Sequence, residues 1–463
     1  MAAEPGLPPG AVHELALLLP PERRHTDADT LAIYATDDTP RSVTPGAVVF
    51  PATTEEVAGV VRTAHRHGIP VVPRGAGSGN VGGALPVPGA LVVAFECMDE
   101  ILELDPVNRL IRVQPGVTNQ QVQDAAAEHG LFWPPDPGSA PYCQVGGNLA
   151  MNSAGPNAVK RGVTRDWVLG LEAVTGTGER FCAGTRTTKG VVGYDLTALM
   201  IGSEGGLGLV TEATLQLTPR PATKRTARAC FADVASAGAA VERIMASGAV
   251  PSALELMDGL AIEALRRGGF DHDLAAGTGA VLMVEADGSP EAVDAEFTVL
   301  TEQLEGEGLL EVATGASDAE IRDLWRARKS LSRAVKRIAP LKINEDVVVP
   351  VTRLTELITR LEGFAETYRL PIVNFGHAGN GNLHVNLMVH PDDADEMARA
   401  HACLDRVFDT VLELGGTLSG EHGVGSEKAP FVARELDPVS RELHRRIKDA
   451  FDPKGILNPG KGF

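Results

Sequence analysis

Basic residues are in short supply: 42 Lys and Arg stand against 61 Asp and Glu, a formal net charge of -19. That balance removes the electrostatic attraction to phosphate backbones and anionic lipid, so nucleic-acid binding is excluded and an anionic ligand needs a local cluster of donors. Cysteine is sparse as well. The five residues Cys97, Cys143, Cys182, Cys230 and Cys403 are odd in number, widely spread and without a CxxC pair. They read as reduced thiols, neither a disulfide framework nor an iron–sulfur ligand set, which suits a cytoplasmic chain. Long apolar runs are missing near the amino terminus, where the longest is Leu15–Leu19 and no basic n-region precedes it. A membrane span needs roughly 20 apolar residues, so the expectation is no export signal and no transmembrane segment, with at most a peripheral membrane association. No internal repeat is present.

The 463 residues suffice for two or three domains with sizeable cores. From Ala47 to Leu217, short β-branched runs (AVVFP, IPVVP, ALVVAF, LIRVQPG) alternate with helical patterns, the signature of a mixed α/β region. One helix is predicted to start at a Thr53 or Thr54 cap with Glu55 and Glu56 in its first turn; another spans Thr118 to His129 and is closed by Gly130. After Pro221 the pattern changes to apolar strands such as AVLMVEA between alanine-rich amphipathic helices, which places a domain boundary there. Asp437 to Phe463 reads as an amphipathic helix followed by the Pro/Gly-rich FDPKGILNPGKGF.

Pro73 to Gly83, PRGAGSGNVGG, follows the strand-like IPVVP. Residues without a Cβ let backbone N–H groups close on a diphosphate, with Arg74 beside them to offset its charge. The segment contains GxGxxG at Gly77, Gly79 and Gly82, but a Rossmann loop opens a helix, whereas here ALPVPG and a further strand follow. Three more small-residue segments share the region: PPDPGS (Pro134 to Ser139), VGGNLAMNSAGPNAVKRGVTRDWV (Val145 to Val168) and YDLTALMIGSEGGLGLVTEATLQL (Tyr194 to Leu217). Together these resemble the FAD-binding domain of the vanillyl-alcohol oxidase and p-cresol methylhydroxylase (PCMH) type. The resemblance implies cofactor contacts at Arg74, Gly75, Ala76, Gly77, Ser78, Pro137, Gly138, Ser139, Gly146, Gly147, Asn148, Asn152, Gly155, Gly202, Glu204, Gly205, Gly208 and Val210. Covalent members often have a histidine in the first loop, where this chain has Gly77, Ser78 and Gly79, so the implied FAD is non-covalent.

Val373 to Val389, VNFGHAGNGNLHVNLMV, carries Asn380-Gly381, a strong two-residue hairpin signal. A turn there predicts that His377 lies directly opposite His384, on one strand face, close enough to share a divalent metal. Leu383, Val385, Leu387 and Val389 would then face a core, with His384 and Asn386 on the other side. TLSGEHGVG (Thr417 to Gly425) suggests a third ligand, since a buried Glu421 needs a metal or a charged partner.

GHAGNGNLH, SGEHGVG and the terminal FDPKGILNPGK are similar to the D-lactate, glycolate and D-2-hydroxyglutarate dehydrogenase branch of the same flavoproteins. That resemblance implies His377, His384 and Glu421 as ligands of a divalent metal (zinc, manganese or iron) and His422 as the catalytic base. Asn380 stands where many relatives have Asp, in the turn and clear of the ligands. Two basic segments suit a substrate carboxylate. WRARKSLSR supplies Arg328, although such a run is usually a solvated helix face, and LKINEDVVVP supplies Lys342 and Asn344. Asn386 joins them as a substrate contact, while Asn458, a further implied cofactor contact, and Lys461 are expected to return to the flavin domain.

The expected fold class is α+β: a PCMH-type FAD-binding domain (1–221), a substrate or cap domain (222–425) and a C-terminal segment (426–463) that packs back. The expected activity is oxidation of a small D-2-hydroxy acid to the 2-oxo acid, with electrons passing on to a quinone, an electron-transfer protein or oxygen. An oligomer is compatible with the sequence. Another oxidase or lipid synthase of the superfamily would not need His377, His384 and Glu421 together; an FAD-carrying subunit without catalysis would have a degraded second site.

Overall fold

The computed structural model describes residues 6–270 and 274–462. The chain forms two compact units. One comprises the chain up to Gly155, Gly162–Arg220 and the chain from Glu421 on; the other comprises Pro156–Arg161 and Pro221–Gly420. The excursion at Pro156–Arg161 has an electrostatic anchor within the second unit. Arg161 makes two contacts to the Asp287 carboxylate, at 2.6 and 2.8 Å, and Lys160 adds a third at 3.1 Å.

In the first unit, strands Ala47–Val49, Leu91–Ala94 and Val71–Arg74 run parallel, with Arg24–His25 antiparallel at the edge. The helix Thr54–His67 covers them. Thr53 caps it by accepting from the Glu56 N–H, Glu55 and Glu56 complement its positive end, and Gly68 closes it at φ 64°. Val57, Val60, Val61 and Ala64 from its buried side pack with Val49, Val71, Leu91 and Val93. No helix forms between Val71–Arg74 and Leu91–Ala94, so the glycine-rich segment is a true loop at the carboxyl end of a parallel strand, a position where open α/β sheets bind ligands. An antiparallel five-stranded sheet follows, in the order Ile101–Asp105, Leu110–Val113, Leu209–Gln216, Val168–Val174, Arg180–Gly184. Helix Asn119–Ala127 packs on it, begun by the reciprocal capping box of Thr118 and Gln121. After the terminal helix Pro438–Phe451, Leu457 pairs in parallel with Val71 and extends the first sheet.

The second unit is one antiparallel seven-stranded sheet in the order Leu309–Gly315, Thr223–Phe231, Ala280–Gly288, Ala253–Met257, Ile372–His377, Asn382–Val389, Leu341–Val348. Helices Gly259–Gly268 and Asp318–Ala334 bury their apolar sides against Cys230, Met257, Val281, Met283 and Phe375. Every residue of Ala253–Met257 is buried, so this central strand is covered on both sides.

The hairpin departs from the expected register. Phe375, not His377, lies opposite His384, because Ala378–Asn380 form a short 3-10 turn and only Gly381 takes a left-handed φ, of 69°. A two-residue type I′ turn needs positive φ at both central residues, and Asn380 does not supply it. The loop is therefore two residues longer, and the register shifts by two. Since side chains alternate with period two, the shift leaves His377 and His384 on the same face as diagonal neighbours.

Candidate active site

All the residues expected to touch the cofactor fall in the first unit. Arg74 is buried, lies 5.6 Å from the centre of the Tyr34 ring and donates from Nη1 to the Thr36 carbonyl. Its desolvation holds the guanidinium below the usual arginine range. Gly77 sits on it at φ 68°, where an added Cβ would come 2.1 Å from Arg74 Nη2. A cavity of about 250 Å³ opens beside this loop, lined by Thr36, Asp37, Asp38, Arg74, Ala76, Gly77, Ser78 and Tyr142.

Among the buried cationic atoms of this unit that have no hydrogen-bond partner among the described residues are Arg74 Nε, beside the glycine loop, and Lys461 Nζ. Burial lowers the Lys461 amine to about 8, against the pull of Asp37 and Glu204. Such orphaned donors suit an anionic cofactor such as a dinucleotide diphosphate.

Several expected cofactor residues also build the scaffold. Asn148 is knitted to Asn119 and Cys143, and Asn152 accepts from the Arg165 N–H. A Cβ on Gly146 would meet Pro115 at 2.7 Å and one on Gly155 would meet the Asp136 carbonyl at 2.3 Å, whereas Gly138 and Gly147 face open space. Glu204, at φ 54°, is the most engaged. Its carboxylate accepts from the Val424 N–H at 2.6 Å and the Gly425 N–H at 2.8 Å, and its carbonyl accepts from Asn458 Nδ2 at 2.6 Å. Burial pushes the Glu204 carboxyl up while those two N–H groups pull it down. It therefore fixes the end of the EHGVG loop that follows Glu421 and His422, the first residues of the chain's return to this unit.

The second unit gathers Arg328, Lys342, Asn344, Asn386, His377 and His384. Strand pairing puts Glu255 beside His377, Phe375 beside His384, and His384 and Asn386 beside Asp346 and Asn344, all on the sheet face that the Asp318–Ala334 helix covers. The two histidines are buried, with ring centres 5.3 Å apart and planes at 85°; one nitrogen of each lies within 4.8 Å of the other.

Asp346, fully buried, accepts from Asn382 Nδ2 at 2.6 Å and the Gly420 N–H at 2.8 Å, while His384 Nδ1 is 3.9 Å away. It thereby anchors the residue just before Glu421. Asn386 Nδ2 donates to the Val373 and His384 carbonyls, which leaves its Oδ1 buried with no hydrogen-bond partner among the described residues. Two buried imidazoles with one nitrogen of each within 4.8 Å of the other are a donor pair of the type that fits a divalent cation.

Arg328 is no solvated arginine. Its Nε and Nη2 meet Glu255 Oε2 at 2.9 and 2.7 Å, and its guanidinium lies 5.0 Å from the centre of the Phe375 ring. Glu255 also bonds His377 Nδ1 through Oε1. Burial works to raise the Glu255 carboxyl, but His377 and Arg328 outweigh it and hold the group below its ordinary range. Sequence reasoning missed Glu255 and Asp346. The signal for Glu255 was a single charge inside SALELM, a strand otherwise small and apolar, where an ionised carboxylate demands partners.

Residues 45–183 match the FAD binding domain family and residues 220–462 match the family of FAD linked oxidases, C-terminal domain. Among similar proteins is the glycolate oxidase subunit GlcD of Bacillus subtilis, 39% identical over 93% of this chain and 92% of that protein. The D-lactate dehydrogenase of Anaerostipes hadrus is 34% identical over 94% and 91%, and the D-2-hydroxyglutarate dehydrogenase of Stutzerimonas stutzeri 33% over 98% and 99%. The fold matches that of p-cresol methylhydroxylase with a TM-score of 0.81 at 20% identity, covering 97% of this chain and 96% of that one. With a glycine-loop unit matching the first family and a two-histidine unit matching the second, the chain is a member of the FAD-linked oxidases.

Proposed function

We propose that this chain is an FAD-dependent dehydrogenase or oxidase that converts a small D-2-hydroxy acid of the lactate, glycolate or 2-hydroxyglutarate type to its 2-oxo acid. The observation that carries the reading is the single sheet face bearing His377, His384 and Asn386 with Arg328 held against it. An imidazole pair and a buried guanidinium on one face match a substrate with hydroxyl and carboxylate on neighbouring carbons. The names of three relatives, each similar over nine-tenths of the chain or more, support the same substrate class.

Bound FAD would supply the acceptor for the Cα hydride, and a divalent metal held by His377, His384 and Glu421 would supply Lewis acidity at the substrate oxygens. The chain's own groups do the rest. Arg328 and Lys342 hold the substrate carboxylate, Asn344 and Asn386 fix its orientation, and His422 takes the hydroxyl proton. Gly420, fixed on Asp346, and Val424 and Gly425, fixed on Glu204, restrict the loop that carries Glu421 and His422.

Mixing the protein anaerobically with D- and L-2-hydroxy acids tests this reading. Bleaching of the flavin absorbance by a D-acid is expected; no bleaching by any 2-hydroxy acid would overturn it. A single turnover needs no external acceptor, so the quinone, protein or oxygen that reoxidises the flavin does not confound it.

With Ser78 in the first loop and no histidine there, acid precipitation is expected to release FAD into the supernatant. Flavin retained in the pellet would contradict non-covalent binding. Gly77→Ala forces a side chain into a left-handed conformation, at about 1–2 kcal/mol, and into the Arg74 guanidinium. Roughly tenfold weaker FAD binding or worse is expected, visible as a lower ratio of flavin to protein absorbance; an unchanged ratio would separate Gly77 from the cofactor.

A further inference from the structure

We infer that Glu255 is a positioning residue whose one carboxylate orients both the Arg328 guanidinium and the His377 ring, so that anion recognition and metal binding in this unit depend on the same side chain. The inference rests on the function proposed above and adds a residue that the sequence motifs do not contain.

Backbone pairing brings Glu255 and His377 together, since they are direct partners across antiparallel strands. The Glu255 side chain is wholly buried, so no water takes the place of its partners. One oxygen is occupied by His377 Nδ1, which fixes the orientation of the ring; a carboxylate on one nitrogen is the usual device for orienting an imidazole that ligates a metal through the other. The other oxygen takes Nε and Nη2 of Arg328, which leaves Nη1 for an incoming carboxylate. Phe375, two residues from His377 on the same strand face, supports the guanidinium plane.

Stability does not explain this arrangement. A buried ionic group is often matched or exceeded in stability by apolar residues of similar volume, and the surrounding strand is otherwise small and apolar. What the triad provides that an apolar replacement cannot is a fixed direction for two functional side chains.

The experiment compares wild type with Glu255→Gln and Glu255→Asp, each carrying FAD. Zn²⁺ affinity of the metal-free proteins is read by competition with a chromophoric chelator, and steady-state kinetics use D-lactate. Glu255→Gln is expected to weaken Zn²⁺ binding about 10- to 100-fold and to raise KM more than it lowers kcat, with FAD content unchanged. Glu255→Asp keeps the charge, so it remains a valid test if the Gln variant does not fold. Its shorter side chain cannot reach both partners, and one of the two readouts should recover while the other does not. Wild-type Zn²⁺ affinity and KM in either variant would overturn the proposal.

If wild type itself neither binds Zn²⁺ nor reduces its flavin with D-lactate, the functional reading is in question separately. The proton position on His377, read by NMR of ¹⁵N-histidine-labelled metal-free protein with His377→Gln for assignment, then decides. A proton on Nδ1 is expected; protonation of Nε2 alone would exclude the Glu255 role.

Discussion

His422→Ala is expected to slow flavin reduction by a D-2-hydroxy acid by roughly 10² to 10⁴-fold, the usual cost of removing a general base, while FAD and metal content stay at wild-type levels. Proton removal from the substrate hydroxyl must accompany loss of the Cα hydride, and His422 adjoins the proposed ligand Glu421 in a loop whose flanks are fixed. Gly420 is bound to buried Asp346 on one side, and Val424 and Gly425 are bound to buried Glu204 on the other. A histidine of merely structural importance on a surface turn would change the rate little on replacement. Single-turnover stopped-flow absorbance separates the two cases, because it excludes product release and reoxidation. A rate within a few-fold of wild type would remove His422 from the chemistry and leave the site without an assigned base.

His384→Ala should have an effect of the same order by another route. Its ring lies 5.3 Å from that of His377, and both are buried on one sheet face. With one imidazole gone, the proposed three-ligand set falls to two. Elemental analysis should then show metal well below one per chain, and turnover should fall about 10²- to 10³-fold, since Lewis-acid stabilisation contributes several kcal/mol and each 1.4 kcal/mol is a factor of ten. Chelation of wild type should reproduce the loss, and added divalent metal should reverse it. Full turnover by a chain shown to hold no metal would refute the metal site and leave His377 and His384 as a buried polar pair held by Glu255 and Asp346.

Local physical chemistry made much of this protein legible in its sequence. The cap at Thr53 and the left-handed Gly130 depend on neighbours within a few residues, and the helices Thr54–His67 and Asn119–Ala127 form beside those signals, the second ending two residues short of the expected His129. The rejection of a Rossmann loop likewise needed only the prolines and the strand after Gly83, and the segment is indeed a loop between strands. Period-two alternation put His377 and His384 on one face, and that survived a hairpin two residues longer than expected because an even register shift preserves the face.

Tertiary structure decided what local signals could not. The turn at Ala378–Asn380 sits within a seven-stranded sheet in which the hairpin must pair with Ala253–Met257 and Leu341–Val348 at once, and no local preference contains that constraint. Arg328 lies in a run that reads as a solvated helix face; only the placement of the helix over Glu255, 73 residues earlier, turns it inward. Asp346 reads as an ordinary strand residue and Glu204 as an implied cofactor contact, and the fold makes them the fixed points for Gly420 and for Val424 and Gly425. The division has a physical cause. Residue types and short spacings set which groups can do the chemistry, whereas a buried carboxylate is tolerated only where distant parts of the chain bring it donors, so its partners are fixed by the fold.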